Sequence, residues 1–229
     1  MCFNIVIYNP YRKNLSKVFN VINKNTVWNS DGFSIWAPEI YLRTLNLKEF
    51  LEIQSKAEKS EIVHIHFRKA SAGAINHDNV HMWKIGDYYV SHNGFVGKYS
   101  QYPNLYKYFH WYDNVFYVAS ESDTYQLVHE EMFKEFLEKK NWKELYSYLR
   151  VVEDFYGVMF LTNENEMIGI GMRKQIHVTY YKDILMFSNQ SLPIKSIKKL
   201  GIRFKVHSTY EGIIKYDFEK SKFQIILMK

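Results

Sequence analysis

Beyond Gly157 the apolar residues of this chain stop recurring at helical spacing and begin to alternate, and that change limits the folds open to it. Upstream, Val128, Met132 and Phe136, then Leu145 and Leu149, are spaced as on the buried stripe of a helix. Downstream, strands are expected near 155–162, 166–171, 176–181, 184–188, 202–206, 210–217 and 223–228. Strands also open the chain, so the order is strands, a block of helices, then more strands. A doubly wound sheet needs a helix after each strand; this order instead fits an α+β fold whose helices are gathered apart from the sheet. No Pro/Gly/Ser-rich linker or internal repeat interrupts the sequence, so 1–229 reads as a single domain.

In the first half, Phe3, Ile5 and Ile7 alternate with Asn4 and Val6 as in a strand. After Asn9-Pro10, the residues Leu15, Val18, Phe19 and Ile22 predict a short amphipathic helix. Ser30-Asp31-Gly32 signals a turn, and a strand over 33–36 is expected to stop at Pro38. Asn46 with Glu49 three residues on is a capping-box pattern that opens a helix over about 46–59. Ile62 to Phe67 reads as a strand, 68–82 as a loop of small and polar residues, and 85–92 as a strand closed by an Asn93-Gly94 turn. The aromatic stretch 99–118 holds one short expected strand at 116–118. Helices are predicted over 122–139 and 141–152, the second opened by Asn141 with Glu144.

The net charge of +6 is spread among interleaved acidic residues, and the densest basic run, Lys195 to Lys205, reads as a solvated loop. Nucleic-acid binding therefore has no support in the charge pattern. The chain lacks both an apolar run of about 18 residues and a secretory leader, so a soluble, cytoplasmic protein is expected. A single cysteine, Cys2, excludes an internal disulfide and a thiolate zinc cluster. No metal and no cofactor is expected. His64 and His66 share a strand face without a carboxylate or thiolate at matching spacing, and read as packing residues.

Four places carry residues suited to chemistry. Cys2 is either a small buried hydrophobe or, once Met1 is removed, a thiol and a free amine on one residue, the pair an N-terminal nucleophile needs. Arg68, at the end of a buried strand and followed by small residues, suits either a carboxylate clamp or a structural ion pair. Asn93-Gly94 is either a hairpin turn or a source of an amide and a backbone N–H aimed at an oxyanion. Asp123, with Gln126 three residues on, is an N-cap that can also hold an ammonium group.

Taken in order, Met1-Cys2, Arg68-Lys-Ala-Ser-Ala-Gly73, Asn79-Val80-His81, His92-Asn93-Gly94 and Ser122-Asp123-Thr124 resemble the class II glutamine amidotransferase (glutaminase) domain of the N-terminal-nucleophile hydrolases. Phe187-Ser188-Asn189-Gln190 is similar, more loosely, to a later segment of that family. The resemblance implies a four-layer αββα sandwich, with two stacked antiparallel sheets flanked by helices. It implies Cys2 as nucleophile with its own amine as base, and Asn93 with the Gly94 N–H as the oxyanion hole. Arg68 would bind the substrate α-carboxylate and Asp123 its α-ammonium group, while Ser71 and His81 would support the site. The implied substrate is glutamine or a γ-glutamyl amide, and the ammonia released would go to a separate acceptor enzyme, since the chain has glutaminase-domain length. Lys69, Ala72 and Met82 stand where many members carry an aromatic residue, His and Pro. Those differences motivate the alternative of a glutaminase-like domain that binds a ligand or partner without catalysis.

Overall fold

A computed structural model of the chain describes residues 2–70, 74–96, 122–151, 155–190 and 205–228. The strand expected at 116–118, the aromatic stretch 99–118 and most of the basic run 195–205 lie outside the described residues. Among those described, eleven strands join in one antiparallel sheet accompanied by five α-helices, an α+β fold.

The sheet is built outward from β1 (Phe3–Tyr8), every residue of which is buried. β1 pairs on one edge with β4 (Ile62–Phe67) and on the other with β9 (Ile184–Ser188), matching the positions expected for these strands. β2 (Phe33–Ala37) adds to β4, and β3 (Ile40–Thr44) adds to β2. β3 was not expected. Pro38 ends β2 as anticipated, but Glu39 takes φ 67 and turns the chain straight into a hairpin. Beyond β9 come β8 (Glu166–Tyr181), β7 (Phe155–Thr162), β6 (Tyr88–Val96) and β5 (Trp83–Ile85), while β10 (Lys205–Asp217) pairs with β8 and β11 (Lys222–Met228) with β10.

Four predicted boundaries are corrected; among them, the strands expected near 202–206 and 210–217 are, over the described residues, the one strand β10. The strands expected at 166–171 and 176–181 are one strand, β8. Its polar stretch at 173–175 is a bulge in which Arg173 has φ 54 and the register against β10 shifts. The helix expected over 122–139 divides at Glu130, whose extended backbone (ψ 140) separates α3 (Asp123–His129) from α4 (Glu131–Glu138). The β5–β6 reversal falls at Gly86-Asp87, with Gly86 at φ 56, and Asn93-Gly94 lies inside β6 with partners Val158 and Gly157. Asn93-Gly94 is therefore not a turn.

Helices α1 (Ser16–Ile22) and α2 (Leu47–Lys56) cover β1, β2 and β4 through a cluster that includes Phe3, Ile5, Phe33, Phe50 and Phe67. Asn46 caps α2 as predicted, its Oδ1 accepting the Lys48 and Glu49 backbone N–H groups. On the other side α3, α4 and α5 (Trp142–Val151) pack on β6, β7 and β8 through Leu127, Phe133, Leu145, Met159 and Ile170. A third cluster joins alternate residues of the two halves of the sheet, Val6 and Trp36 with Val158, Phe160 and Phe187. Burying a side chain of this size removes enough apolar surface to contribute about 1.5–3 kcal/mol each. The sheet curls far enough that β1 and β6, separated by three strands in the pairing order, meet directly: the Ser91 hydroxyl donates to Asn4 Oδ1 at 2.9 Å. No helix among the described residues is long and apolar enough to cross a membrane.

Candidate active site

Because the sheet curls, the entry of β1, the end of β4, the middle of β6 and the end of β9 come together around Cys2, which is buried. The Cys2 backbone N–H donates to Asn93 Oδ1 at 3.1 Å. Its carbonyl accepts from Asn189 Nδ2 at 3.0 Å, and Asn189 is held in turn by Asn4 through Asn4 N–H to Oδ1 (2.6 Å) and its own N–H to Asn4 O (3.1 Å). The Lys69 backbone N–H points at Cys2 Sγ, 3.3 Å away. Burial pushes the thiol up from its ordinary range, and the Lys69 N–H and the Arg68 guanidinium oppose that by favouring a thiolate.

Asn93 sits on β6 with its amide oxygen engaged and its buried amide nitrogen, Nδ2, without a hydrogen-bond partner among the described residues, and the same holds of Asn4 Nδ2 and of Nδ1 of His64 and His66. A buried N–H donor left unpaired costs roughly 1–3 kcal/mol, so an orphan of this kind calls for an explanation. Its place in the strand depends on its neighbour. A Cβ at Gly94 would lie 1.7 Å from Tyr156 O, and one at Gly157 would lie 2.2 Å from Asn93 O. The glycines therefore let β6 and β7 approach closely beside the site, which is the reason for Gly94 in place of the turn that the dipeptide suggested.

Arg68 is fully buried, its backbone exchanging hydrogen bonds with Gly32 O and the Asp31 N–H. Its Nη1 donates to Ala74 O at 3.0 Å, the carbonyl that also accepts Asn79 Nδ2 at 3.1 Å. Asn79 Oδ1 then accepts the Ser122 N–H at 2.9 Å, linking the arginine to the start of α3. Ser122, not Asp123, is the helix cap: its Oγ accepts the Tyr125 N–H. This corrects the N-cap expectation for Asp123 and leaves its carboxylate for other partners. Asp123 Oδ2 accepts the Val96 N–H at 2.7 Å and Oδ1 the Thr124 N–H at 2.8 Å. Burial raises its pKa, while those two N–H groups and Arg68 pull it back down.

Four buried histidines line the back of the site. His66 and His81 stack with centroids 4.5 Å apart, and both face the His92 carbonyl, at 3.2 and 2.8 Å. Because a carbonyl only accepts, each donates there. The His92 ring donates Nε2–H to Tyr156 O at 3.2 Å, and its Nδ1 accepts the Thr124 hydroxyl at 2.9 Å. His64 Nε2 meets Ser91 Oγ at 2.6 Å and Asn4 Oδ1 at 3.2 Å. Burial holds His64 and His92 down at about 3, and His66 and His81 well below their ordinary value, so all four are neutral.

Cys2, Arg68, His81, Asn93 and Asp123 are thus brought into one buried region, whereas Ser71 lies outside the described residues. Asn4 was missed by sequence reasoning, Ser91 and His92 were noted only as neighbours of Asn93-Gly94 with no role of their own, and Asn189 was singled out only within a loosely similar segment. The available signal was polar residues at positions of strands otherwise filled by apolar ones, Asn4 in β1 and Ser91 to Asn93 in β6.

No protein-family model and no curated protein sequence matches the chain. Solved structures do. Glutamine phosphoribosylpyrophosphate amidotransferase from B. subtilis aligns with all of this chain and 50% of its own, at 11% identity and a TM-score of 0.58. A structure described as the allosteric regulatory enzyme of purine biosynthesis aligns over the same shares at 14% identity and 0.61. A glutamine aminotransferase class-II domain protein from Silicibacter pomeroyi aligns over 99% of this chain and 100% of its own, at 10% identity and 0.54. The fold is that of a class II glutamine amidotransferase domain. The chain spans about half the length of the first two proteins it matches and the whole length of the third. At these identities it is the amidotransferase fold that is shared, and the roles of individual side chains rest on the geometry above.

Proposed function

We propose that this chain is a single-domain amidohydrolase of the class II glutamine amidotransferase type, with the four-layer αββα arrangement, acting on glutamine or a related γ-glutamyl amide through Cys2. The three apolar clusters, one between the halves of the sheet and one under each helical layer, support the layering. The observation that carries the function is Asn93 Nδ2, a buried donor without a partner among the described residues, on the side chain whose oxygen is 3.1 Å from the Cys2 nitrogen. An orphan donor beside a nucleophile is explained by an oxygen that becomes charged only in the transition state.

In this reading Met1 is removed and the Cys2 amine takes the thiol proton, an exchange that burial of the sulfur opposes and that the Lys69 N–H and the Arg68 guanidinium assist by favouring the thiolate. Sulfur attacks the γ-carbonyl carbon while Asn93 Nδ2 and the Gly94 N–H hold the oxyanion. The C–N bond breaks, the amine passes its proton to the leaving nitrogen, and ammonia departs from a thioester. Water, deprotonated by the same amine, then cleaves the thioester and restores the thiol. Arg68 binds the substrate α-carboxylate and Asp123 its α-ammonium group. Both Asp123 oxygens already accept an N–H, but each keeps a second lone pair for the ligand. His81 and Ser71 support the site. The reaction fits a cytoplasmic protein, where a lone thiol stays reduced, with the ammonia available to a separate acceptor enzyme.

The test is amide hydrolysis by protein whose mass shows Met1 absent. Release of ammonia that disappears in Cys2→Ala supports the reading, and hydrolysis that survives the substitution overturns it. Labelling of Cys2 by a glutamine-like diazo-ketone separates an enzyme from the ligand-binding alternative, which predicts an inert thiol.

A further inference from the structure

A groove bounded by Asn189, the residue that holds the Cys2 carbonyl, is larger than a departing ammonia requires. It encloses about 530 Å³ and is lined by Tyr156, Arg173, Lys174, His177, Asn189 and Glu211, among others. A molecule the size of water occupies roughly 30 Å³, whereas grooves of several hundred Å³ are the size that holds a small organic ligand. Two of its walls belong to the site already described. Asn189 holds the Cys2 carbonyl, and Tyr156 carries the carbonyl that accepts from His92 and abuts Gly94.

The groove also lies on a defined side of the nucleophile. β1 has β4, with Arg68 and Lys69 at its end, on one edge, and β9, leading into Asn189, on the other. β8 is the next strand beyond β9. A γ-glutamyl group anchored at Arg68 and Asp123 therefore reaches Cys2 from the β4 and α3 side, and the substituent on its amide nitrogen faces the β9 and β8 side.

The chemistry of that side is set by the bulge in β8. Residues 172–175 stand opposite the single residue Glu211 of β10, and a bulge of this kind re-aims the side chains it carries. It places Arg173 and Lys174 together in the lining, with Glu211 Oε1 accepting the Arg173 backbone N–H at 3.1 Å. Lys174 is half-buried, with Nζ 5.3 Å from the centre of the Tyr156 ring. Burial lowers its pKa, and the Cys2 thiol opposes that shift. A partly desolvated ammonium gains more from an anionic partner than a solvated one does.

Building on the amidohydrolase reading, we infer that the groove takes the leaving amine, and that Lys174 selects γ-glutamyl amides whose leaving amine carries an anionic group, such as the carboxylate of an amino acid. Glutamine leaves the groove empty. A dipeptide of the γ-glutamyl type fills it and sets a carboxylate against Lys174.

Binding and turnover separate this inference from the reading it rests on. Calorimetry on the Cys2→Ala chain, which cannot turn over substrate, compares γ-glutamylglycine with γ-glutamylglycinamide, equal in size and differing in charge. The carboxylate form is expected to bind about tenfold tighter or better, the scale of one charge-assisted hydrogen bond in a half-buried site. Adding Lys174→Gln brings the ratio near one. Equal binding of the two dipeptides, or a ratio that Lys174→Gln leaves intact, overturns the inference. Hydrolysis of glutamine and of γ-glutamylglycine by the Met1-free wild-type chain is assayed alongside. Failure with both counts against the amidohydrolase reading whatever the binding ratio, and hydrolysis with equal dipeptide affinities counts against the groove assignment alone.

Discussion

Asn93 divides its amide between two tasks, one oxygen on the Cys2 nitrogen and one nitrogen held in reserve. Removing it separates catalysis from folding. On the proposed mechanism, in which this donor acts on charge that appears only in the transition state, Asn93→Ala is expected to lower kcat by about 10²–10³ with little change in KM. Steady-state kinetics checks this, and a KM effect without loss of kcat would instead make Asn93 a ground-state binding residue. The substitution also removes an unsatisfied buried group, so its thermal midpoint is expected to fall less than is usual for a buried hydrogen-bonded asparagine. Asp123 shows the same economy. Relieved of capping by Ser122, it keeps its carboxylate among two backbone N–H groups at the end of β6.

At the scale of elements, the contact between β6 and β7 depends on two missing side chains. Gly94→Ala places a Cβ against the Tyr156 carbonyl, a backbone atom that cannot swing aside. The expected loss is about 3 kcal/mol or more, read from the urea unfolding midpoint. Gly86→Ala is the control: its Cβ meets nothing within 4 Å, and only the left-handed φ of 56 opposes it, at about 1–2 kcal/mol. Equal losses for the two would mean that the close approach does not matter. The same pair shows how far the sequence could be read. Runs filled with buried apolar residues between turn signals, 62–67, 155–162 and 184–188, coincide with β4, β7 and β9. Asn93-Gly94 misled because a dipeptide reports local turn preference, whereas its conformation is set by Val158 and Gly157 across the ladder. The polar residues 173–175 concealed the continuity of β8 because a bulge and a turn expose residues alike. For the candidate site, residues in local patterns were legible, and the pairing of Asn4 with Ser91, which meet only when the sheet curls, was not.

The whole molecule encloses four neutral histidines between its layers, and this couples its stability to pH. Each folded pKa lies below the unfolded value of about 6.5, at about 3 for His64 and His92, so below 6.5 the unfolded chain binds protons that the folded chain refuses. Stability is fully present above about pH 6.5 and is lost toward pH 3, by about 1.4 kcal/mol per pH unit for each histidine. Asp123, raised by burial, acts in the opposite direction near its own titration but is one group against four. Melting temperatures across pH 3–7 check the slope, and His64→Gln is expected to reduce it by one proton. An unchanged slope would place the acid sensitivity elsewhere. Closure of the sheet around Cys2 has a further consequence, in time rather than space. The nitrogen that the proposed mechanism uncovers is hydrogen-bonded to a residue 91 positions downstream, which on that reading makes the folded chain a poor substrate for an aminopeptidase. Processing belongs to the interval in which the ribosome has made the amino terminus but not yet β6. Chain that folds first is expected to keep Met1 against aminopeptidase in native buffer and to lose it in urea, as intact mass would show.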